Sequence, residues 1–135
     1  MRNTILVAIA ALLITAWYFT QAGNTPSDQT AQTQSPSLAV PELTADAKTG
    51  ETYFNVKCAA CHGMNGAGTD KGPSFIHKVY QQNHHADESF QRAAKMGTQA
   101  HHWKFGNMPP VAGITRAEVA KIVTYIREIQ AANGI

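Results

Sequence analysis

The two cysteines of the chain, Cys58 and Cys61, lie three positions apart, and His62 follows the second directly. Two thiols at this spacing can form thioethers with the two vinyl groups of one haem, and the adjacent imidazole then lies over the iron. The Cys-x-x-Cys-His pattern therefore predicts one haem c, covalently attached through Cys58 and Cys61, with His62 as an iron ligand.

Three other uses of paired cysteines explain the sequence less well. A thioredoxin-like redox pair needs a β-α-β pattern around it, and the chain has none. A structural zinc site needs four ligands, and the remaining histidines stand at spacings that match no standard zinc finger. A plain disulfide between Cys58 and Cys61 suits an exported protein but leaves His62 without a role.

An apolar run near the N-terminus predicts that the chain is directed to a membrane. Within residues 5–19 only Thr15 is polar, and Arg2 precedes the run. Residues 1–20 are interpreted as a membrane anchor or as a signal segment cleaved near residue 22, and the polar stretch that follows favours the anchor, a transmembrane helix. Because Arg2 favours a cytoplasmic N-terminus, both interpretations place the rest of the chain on the periplasmic side of the inner membrane.

Composition then separates a linker from a domain. Residues 21–43 are rich in Gln, Thr, Ser and Pro and lack aromatic residues, so we expect a disordered polar linker. Residues 44–135 form the predicted domain. From Glu42 onward ten Lys and Arg residues stand against eight Asp and Glu residues, a balance that argues against nucleic acid as a partner.

Two helices with clear boundary signals are predicted at the ends of this domain. Thr44 is expected to cap a helix over residues 45–57. A capping box of Thr115 and Glu118 begins a second amphipathic helix, which Asn133 and the following glycine end.

The middle of the domain has weaker helical signals. Asp87 is expected to cap a helix over residues 88–96 that ends at Gly97, and a less regular pattern predicts another helix over residues 74–82. No alternating strand pattern is present. The predicted fold class is therefore all-α.

A series of short motifs runs in one order through residues 45–132. The motifs are Gly50, Phe54, Cys58-Ala-Ala-Cys61-His62-Gly63, Gly72-Pro73, Asn107-Met108-Pro109 and Tyr125-Ile126-Arg127. Together they resemble the class I c-type cytochrome family of mitochondria and bacteria. The resemblance implies a cytochrome c fold, in which the N- and C-terminal helices cross around one covalently bound haem, and an electron carrier rather than an enzyme.

The resemblance also implies roles for particular residues. His62 would be the proximal iron ligand, and the carbonyl of Pro73 would hold its ring N–H. Met108 would be the distal ligand. Gly50 would lie where the first and last helices cross, against Tyr125.

The identity of the sixth iron ligand also has a chemical argument. The thioether of Met108 is a soft ligand that favours ferrous iron, and the prolines after it stiffen its loop. Met96, His101 and His102 are alternative ligands. An open sixth position would favour a ligand-binding or peroxidase-type haem protein instead.

The histidines beyond His62 include the adjacent pairs His84-His85 and His101-His102. Imidazoles bind copper or zinc well, so these pairs would suit a second metal site in a metal-handling module. They would equally suit surface positions or hydrogen bonds to a haem propionate.

The partners predicted for a carrier are redox proteins, with the domain itself a monomer. Four lysines lie close in sequence to the segments expected to contact haem and would steer acidic partners toward it. They are Lys57, Lys71, Lys78 and Lys104.

Overall fold

The computed structural model of the protein describes residues 38–135. The predicted membrane segment, residues 1–20, and the linker as far as residue 37 lie outside the described residues. Within residues 38–135, no helix is long and apolar enough to cross a membrane.

The chain contacts the domain before its first helix begins. Leu43 is buried in the core, and the backbone N–H of Ala39 donates a hydrogen bond to Asn133 Oδ1 at 3.0 Å. The linker boundary at residue 43 stays a prediction.

The two longest helices lie at the two ends of the domain. Helix α1 spans Ala45–Lys57, and the Thr44 side chain accepts a hydrogen bond from its first turn. Helix α4 spans Arg116–Ala132 and begins with a complete capping box between Thr115 and Glu118. Both helices and both caps are as the sequence predicts, because their signals are local.

Helices α1 and α4 cross at Gly50. A Cβ atom at this position would overlap the backbone carbonyl of Lys121, so only glycine permits this approach. The expected contact of Gly50 with Tyr125 stays a prediction. The ring of Tyr125 packs against Phe54, with centroids 5.5 Å apart.

The core lies along this crossing. Phe54, Tyr125, Ile126 and Ile129 are all fully buried, and no part of their surface reaches solvent. They fall at helical spacing on the two facing sides, so the amphipathic pattern of α4 directly predicts which residues are buried.

A short helix and a tight turn follow α1. Helix α2 spans Ala59–His62, and a 3-10 turn spans Met64–Gly66. Cys61 and His62 thus lie on helical backbone, and Cys58 lies at the junction between α1 and α2.

Helix α3 spans Asp87–Met96 and ends at Gly97, as predicted, but Asp87 does not cap it. Ala86 occupies the cap position, and the carboxylate of Asp87 pairs with Arg127 Nε at 2.9 Å. Asp87 therefore forms an ion pair with α4 and not the helix cap that the sequence predicts.

The helix predicted over residues 74–82 is mostly wrong, since only Lys78–Tyr80 form a 3-10 turn. The backbone N–H of Phe75 donates to the Gly66 carbonyl at 2.8 Å, and Ser74 Oγ donates to the same oxygen at 3.0 Å. Ser74 Oγ also accepts from the N–H of Ile76 at 3.0 Å. These contacts tie the segment to the turn at Gly66 in an irregular loop.

The described residues form no strand. Their one β-bridge joins Thr98 and Met108, whose N–H and carbonyl groups exchange hydrogen bonds at 2.9 Å. The all-α class is confirmed.

Candidate functional site

A cavity of about 460 Å³ lies between the terminal helices and the loops after α2 and α3. Cys58, His62, Pro73 and Met108 all line it, together with a mostly apolar and aromatic wall. This volume is within the range of roughly 300–1,000 Å³ found for small-molecule and cofactor sites. The structure therefore brings four of the five predicted site residues to one cavity, and Cys61 is the one that does not line it.

His62 is the last residue of α2 and is buried. Its Nδ1 lies 3.0 Å from the carbonyl oxygen of Pro73. Since a carbonyl only accepts, Nδ1 carries the proton, and the neutral ring offers its Nε2 lone pair. Burial lowers the pKa of His62, and the bond to Pro73 opposes that shift only in part. The ring is thereby kept in the neutral form that binds a metal ion.

The loop between His62 and Pro73 lies directly against the attachment motif. The N–H of Gly68 donates to the His62 carbonyl at 2.6 Å. A Cβ on the buried Gly72 would come within 2.9 Å of the carbonyl oxygen of Cys61. This close approach positions the Pro73 carbonyl beside the imidazole.

The two cysteines differ in their surroundings. Cys58 is half-buried and lines the cavity, whereas Cys61 is exposed, and no disulfide joins the two. Burial, with a smaller contribution from Cys61, raises the pKa of Cys58 to about 11, against the opposing charge of Lys57. Before any thioether forms, the thiol of Cys58 is thus protonated at neutral pH.

Met108 is half-buried and lines the cavity from the loop after α3. Its backbone is fixed by the bridge to Thr98, and a Cβ on Gly97 would overlap its carbonyl. Gly97 has a φ of +76°, a left-handed conformation that favours glycine. The end of α3 and the methionine loop are therefore locked together.

The three alternative sixth ligands are all exposed. Met96 also lines the cavity, but 64% of its surface is exposed to solvent. His101 and His102 lie on the cavity wall and are exposed as well. Which of these residues binds iron stays a prediction.

An aromatic wall around His62 was missed by the sequence analysis. The ring of Phe75 stacks on the imidazole with centroids 4.3 Å apart, and Phe90 lies 5.5 Å from Phe75. On the same wall Trp103 Nε1 donates to Tyr80 Oη at 3.1 Å. The sequence contained one signal for this wall, since its aromatic residues, apart from Phe90, lie outside strong helical patterns.

Arg127 was noticed only as part of a motif, yet it organises one side of the cavity. Its guanidinium donates to the carbonyl oxygens of Tyr80 and His85 and pairs with Asp87, while its charge lies 5.1 Å from the Phe90 ring centroid. These bonds hold the segment before α3 against α4. Nothing in local sequence patterns identifies such long-range partners.

The residues present fit a haem. The cavity offers a large apolar space, a thiol at its wall, a neutral imidazole oriented by a carbonyl, and a thioether. Among the described residues, none forms a hydrogen bond with Nε2 of His62, which is the atom that would face iron.

Comparison with known proteins gives one family. The sequence model of the cytochrome c family matches residues 47–130. No curated protein and no solved structure gives a significant match. The matched range begins within α1 and ends within α4, so it contains every residue of the candidate site.

Proposed function

The chain belongs to the cytochrome c family, and we propose that it is an electron carrier whose haem iron is held by His62 and Met108. The cofactor of the family is covalently bound haem c, and Cys58 and Cys61 stand at the spacing that its attachment requires. Its activity is haem-based electron transfer.

The observation that carries the proposal is the environment of His62. Its ring is buried, its Nδ1 is held by the Pro73 carbonyl at 3.0 Å, and the cavity beside it is lined by Met108 as well. Bound haem supplies an iron that gains or loses one electron. If both the imidazole of His62 and the thioether of Met108 hold the iron, no position is left for a substrate, which favours a carrier over an enzyme.

The chain's own residues contribute orientation and a low dielectric. Pro73 fixes the plane of the imidazole, and the bridge between Thr98 and Met108 fixes the thioether loop. Phe75 and Phe90 give the site apolar walls, which would limit its access to water. Water exclusion and a soft ligand both favour the less charged ferrous state, so they would raise the reduction potential.

The optical spectrum of the oxidised holo-protein tests this ligand set. We expect a low-spin spectrum with the weak far-red band of methionine-bound ferric haem. Met108→Ala should abolish the band, and the matched variant Met96→Ala should retain it. A high-spin spectrum of the unsubstituted protein would instead support an open sixth position and a ligand-binding or peroxidase-type role.

We further propose that the domain works on the periplasmic side of the inner membrane with redox proteins as partners. Lys57, Lys71, Lys78 and Lys104 are all exposed, and none of them forms a salt bridge within residues 38–135, so they can meet an acidic surface. Electron transfer to a native acidic partner should slow as ionic strength rises. A rate independent of salt would remove the lysines from the proposal.

A further inference from the structure

Four histidines form a cluster on the wall of the haem cavity: His84, His85, His101 and His102. One ring nitrogen each from His84, His85 and His102 lies within 4.8 Å of the other two. The two loops that carry them are separated in sequence by α3, so the fold brings them together. Neither loop on its own places three imidazoles at such distances.

The spacing of these nitrogens suits a metal ion. His84 Nε2 and His102 Nε2 are 3.3 Å apart. Two imidazole nitrogens bound to one tetrahedral ion at about 2.0–2.1 Å would be roughly 3.3 Å apart. The third nitrogen, from His85, lies within 4.8 Å of the other two.

The ring of His85 is already oriented by its surroundings. Its Nδ1 lies 2.6 Å from the carbonyl oxygen of Val79, which can only accept, so Nδ1 is protonated and Nε2 is left as the metal-binding atom. The carbonyl of His85 itself accepts a hydrogen bond from Arg127 at 2.6 Å. A histidine ligand commonly has its other ring nitrogen held by a carbonyl in this way.

His101 is a neighbour of the trio rather than a member of it. Its ring lies 4.3 Å from that of His102, and its Nδ1 is 2.8 Å from the carbonyl of Gln99. Because the carbonyl of Gln99 only accepts, Nδ1 of His101 carries the proton and its Nε2 is left unprotonated.

We propose that His84, His85 and His102 form a second metal site, for a copper or zinc ion, beside the haem of this protein. Three neutral imidazoles without a carboxylate or thiolate suit these ions and disfavour magnesium or calcium. Between the two, the order of intrinsic affinities places Cu²⁺ above Zn²⁺. The ion would lie on the wall of the haem cavity, because all three ligands line it.

Titration of the untagged ferric holo-protein with Cu²⁺ and, separately, Zn²⁺ tests the site. We expect one saturable site per haem iron by calorimetry and elemental analysis, with tighter binding of Cu²⁺. His84→Ala and His102→Ala should each weaken binding at least about 10-fold, and the double variant should abolish it. An unchanged haem spectrum in the variants establishes that they are folded.

The matched control is His77→Asn. His77 lies in the same loop as His84 and packs against Trp103. Its Nδ1 accepts a hydrogen bond from the N–H of Val79, a contact that asparagine can replace. The affinity of the His77→Asn protein for both ions should equal that of the unsubstituted protein.

Electron paramagnetic resonance of the copper-loaded protein gives an independent measurement. The copper signal should carry nitrogen splitting from imidazole ligands, and the His84→Ala, His102→Ala double variant should lack it. Absence of saturable binding by either ion, or equal binding by the double variant, would overturn the proposal. Neither result bears on the iron ligands, which the optical spectrum tests separately.

Discussion

The crossing of α1 and α4 and the two histidine loops, residues 77–86 and 98–108, hold their shapes by different means. The crossing buries Phe54, Tyr125 and Ile126 completely and is regular helix on both sides. The loops are largely exposed and contain one 3-10 turn and one bridge. Packing therefore determines the shape of the crossing, and individual hydrogen bonds determine the shapes of the loops.

The first of these loops is also bonded to the scaffold. Arg127 of α4 donates to the carbonyls of Tyr80 and His85, so it is the anchor of this loop. The second loop is closed by its own β-bridge. The histidine cluster and Met108 therefore depend on loops, whereas His62 lies at the end of a helix.

The largest expected effect is on the crossing. Phe54→Ala should lower the free energy of unfolding by about 3–5 kcal/mol, because it leaves a cavity in a packed core. Val56→Ala, in the same helix but with its residue 75% exposed, should change it by less than about 0.5 kcal/mol. Urea denaturation of the two holo-variants measures the difference, and equal losses would contradict a core centred on Phe54.

Removal of the loop anchor should have a smaller and more local effect. Arg127→Met should cost about 1.5–3 kcal/mol, because it leaves carbonyls without a charged donor. Hydrogen exchange should show the loss as an increase in rate over the unsubstituted protein. This increase should be larger for the amides of residues 80–86 than for those in α1.

The matched control for this anchor is Arg116→Met. Arg116 also forms a two-pronged ion pair, at 2.7 Å and 2.9 Å with Glu88, but both side chains are exposed. Its loss should cost less than about 1 kcal/mol. If both variants exchange alike, Arg127 is not the anchor of the loop.

The third prediction concerns whether a substitution at the crossing raises or lowers the stability of the protein. Gly50→Ala should destabilise the protein by about 1–3 kcal/mol, because the new methyl group overlaps the carbonyl of Lys121. Elsewhere in a helix the same exchange stabilises by about 1 kcal/mol. Thermal unfolding measures this change in stability, with Thr52→Ala on the exposed face of α1 as the control. A stabilised Gly50→Ala protein would show that the helices can move apart.

The smallest effect at neutral pH concerns the polar edge of the crossing. Tyr125 Oη donates to Asn65 Oδ1 at 2.8 Å, and burial raises the pKa of Tyr125 to about 12. The unfolded chain releases this proton near pH 10, so stability falls as pH rises from there toward 12. Tyr125→Phe should therefore be less stable at pH 7 but lose less over that alkaline range, as urea midpoints would record. A parallel decline in both proteins would contradict this assignment.

The sequence predicted the regular region well and the loops poorly. Thr44, Thr115 and Glu118 are capping signals read from adjacent residues, and the structure confirms both helices that they begin. Asp87 was assigned to a cap because its partner, Arg127, lies far away in sequence. A local pattern carries no information on such a pairing.

The candidate site divides in the same way. The spacing of Cys58 and Cys61 sufficed for the haem, since attachment depends on adjacent residues. The stacking of Phe75 on His62 and the convergence of His84 with His102 depend on how loops fold onto one another. The sequence offers the histidine pairs as one alternative, and their distances follow only from the fold.

The proposed ligand set is tested most directly by proton magnetic resonance of the ferrous holo-protein. A methionine bound to the iron lies over the porphyrin, whose ring current shifts its methyl resonance strongly upfield. We predict one such methyl resonance, lost in Met108→Leu and retained in Met96→Leu. A spectrum without it, or one in which Met96→Leu removes it, would contradict iron held by His62 and Met108.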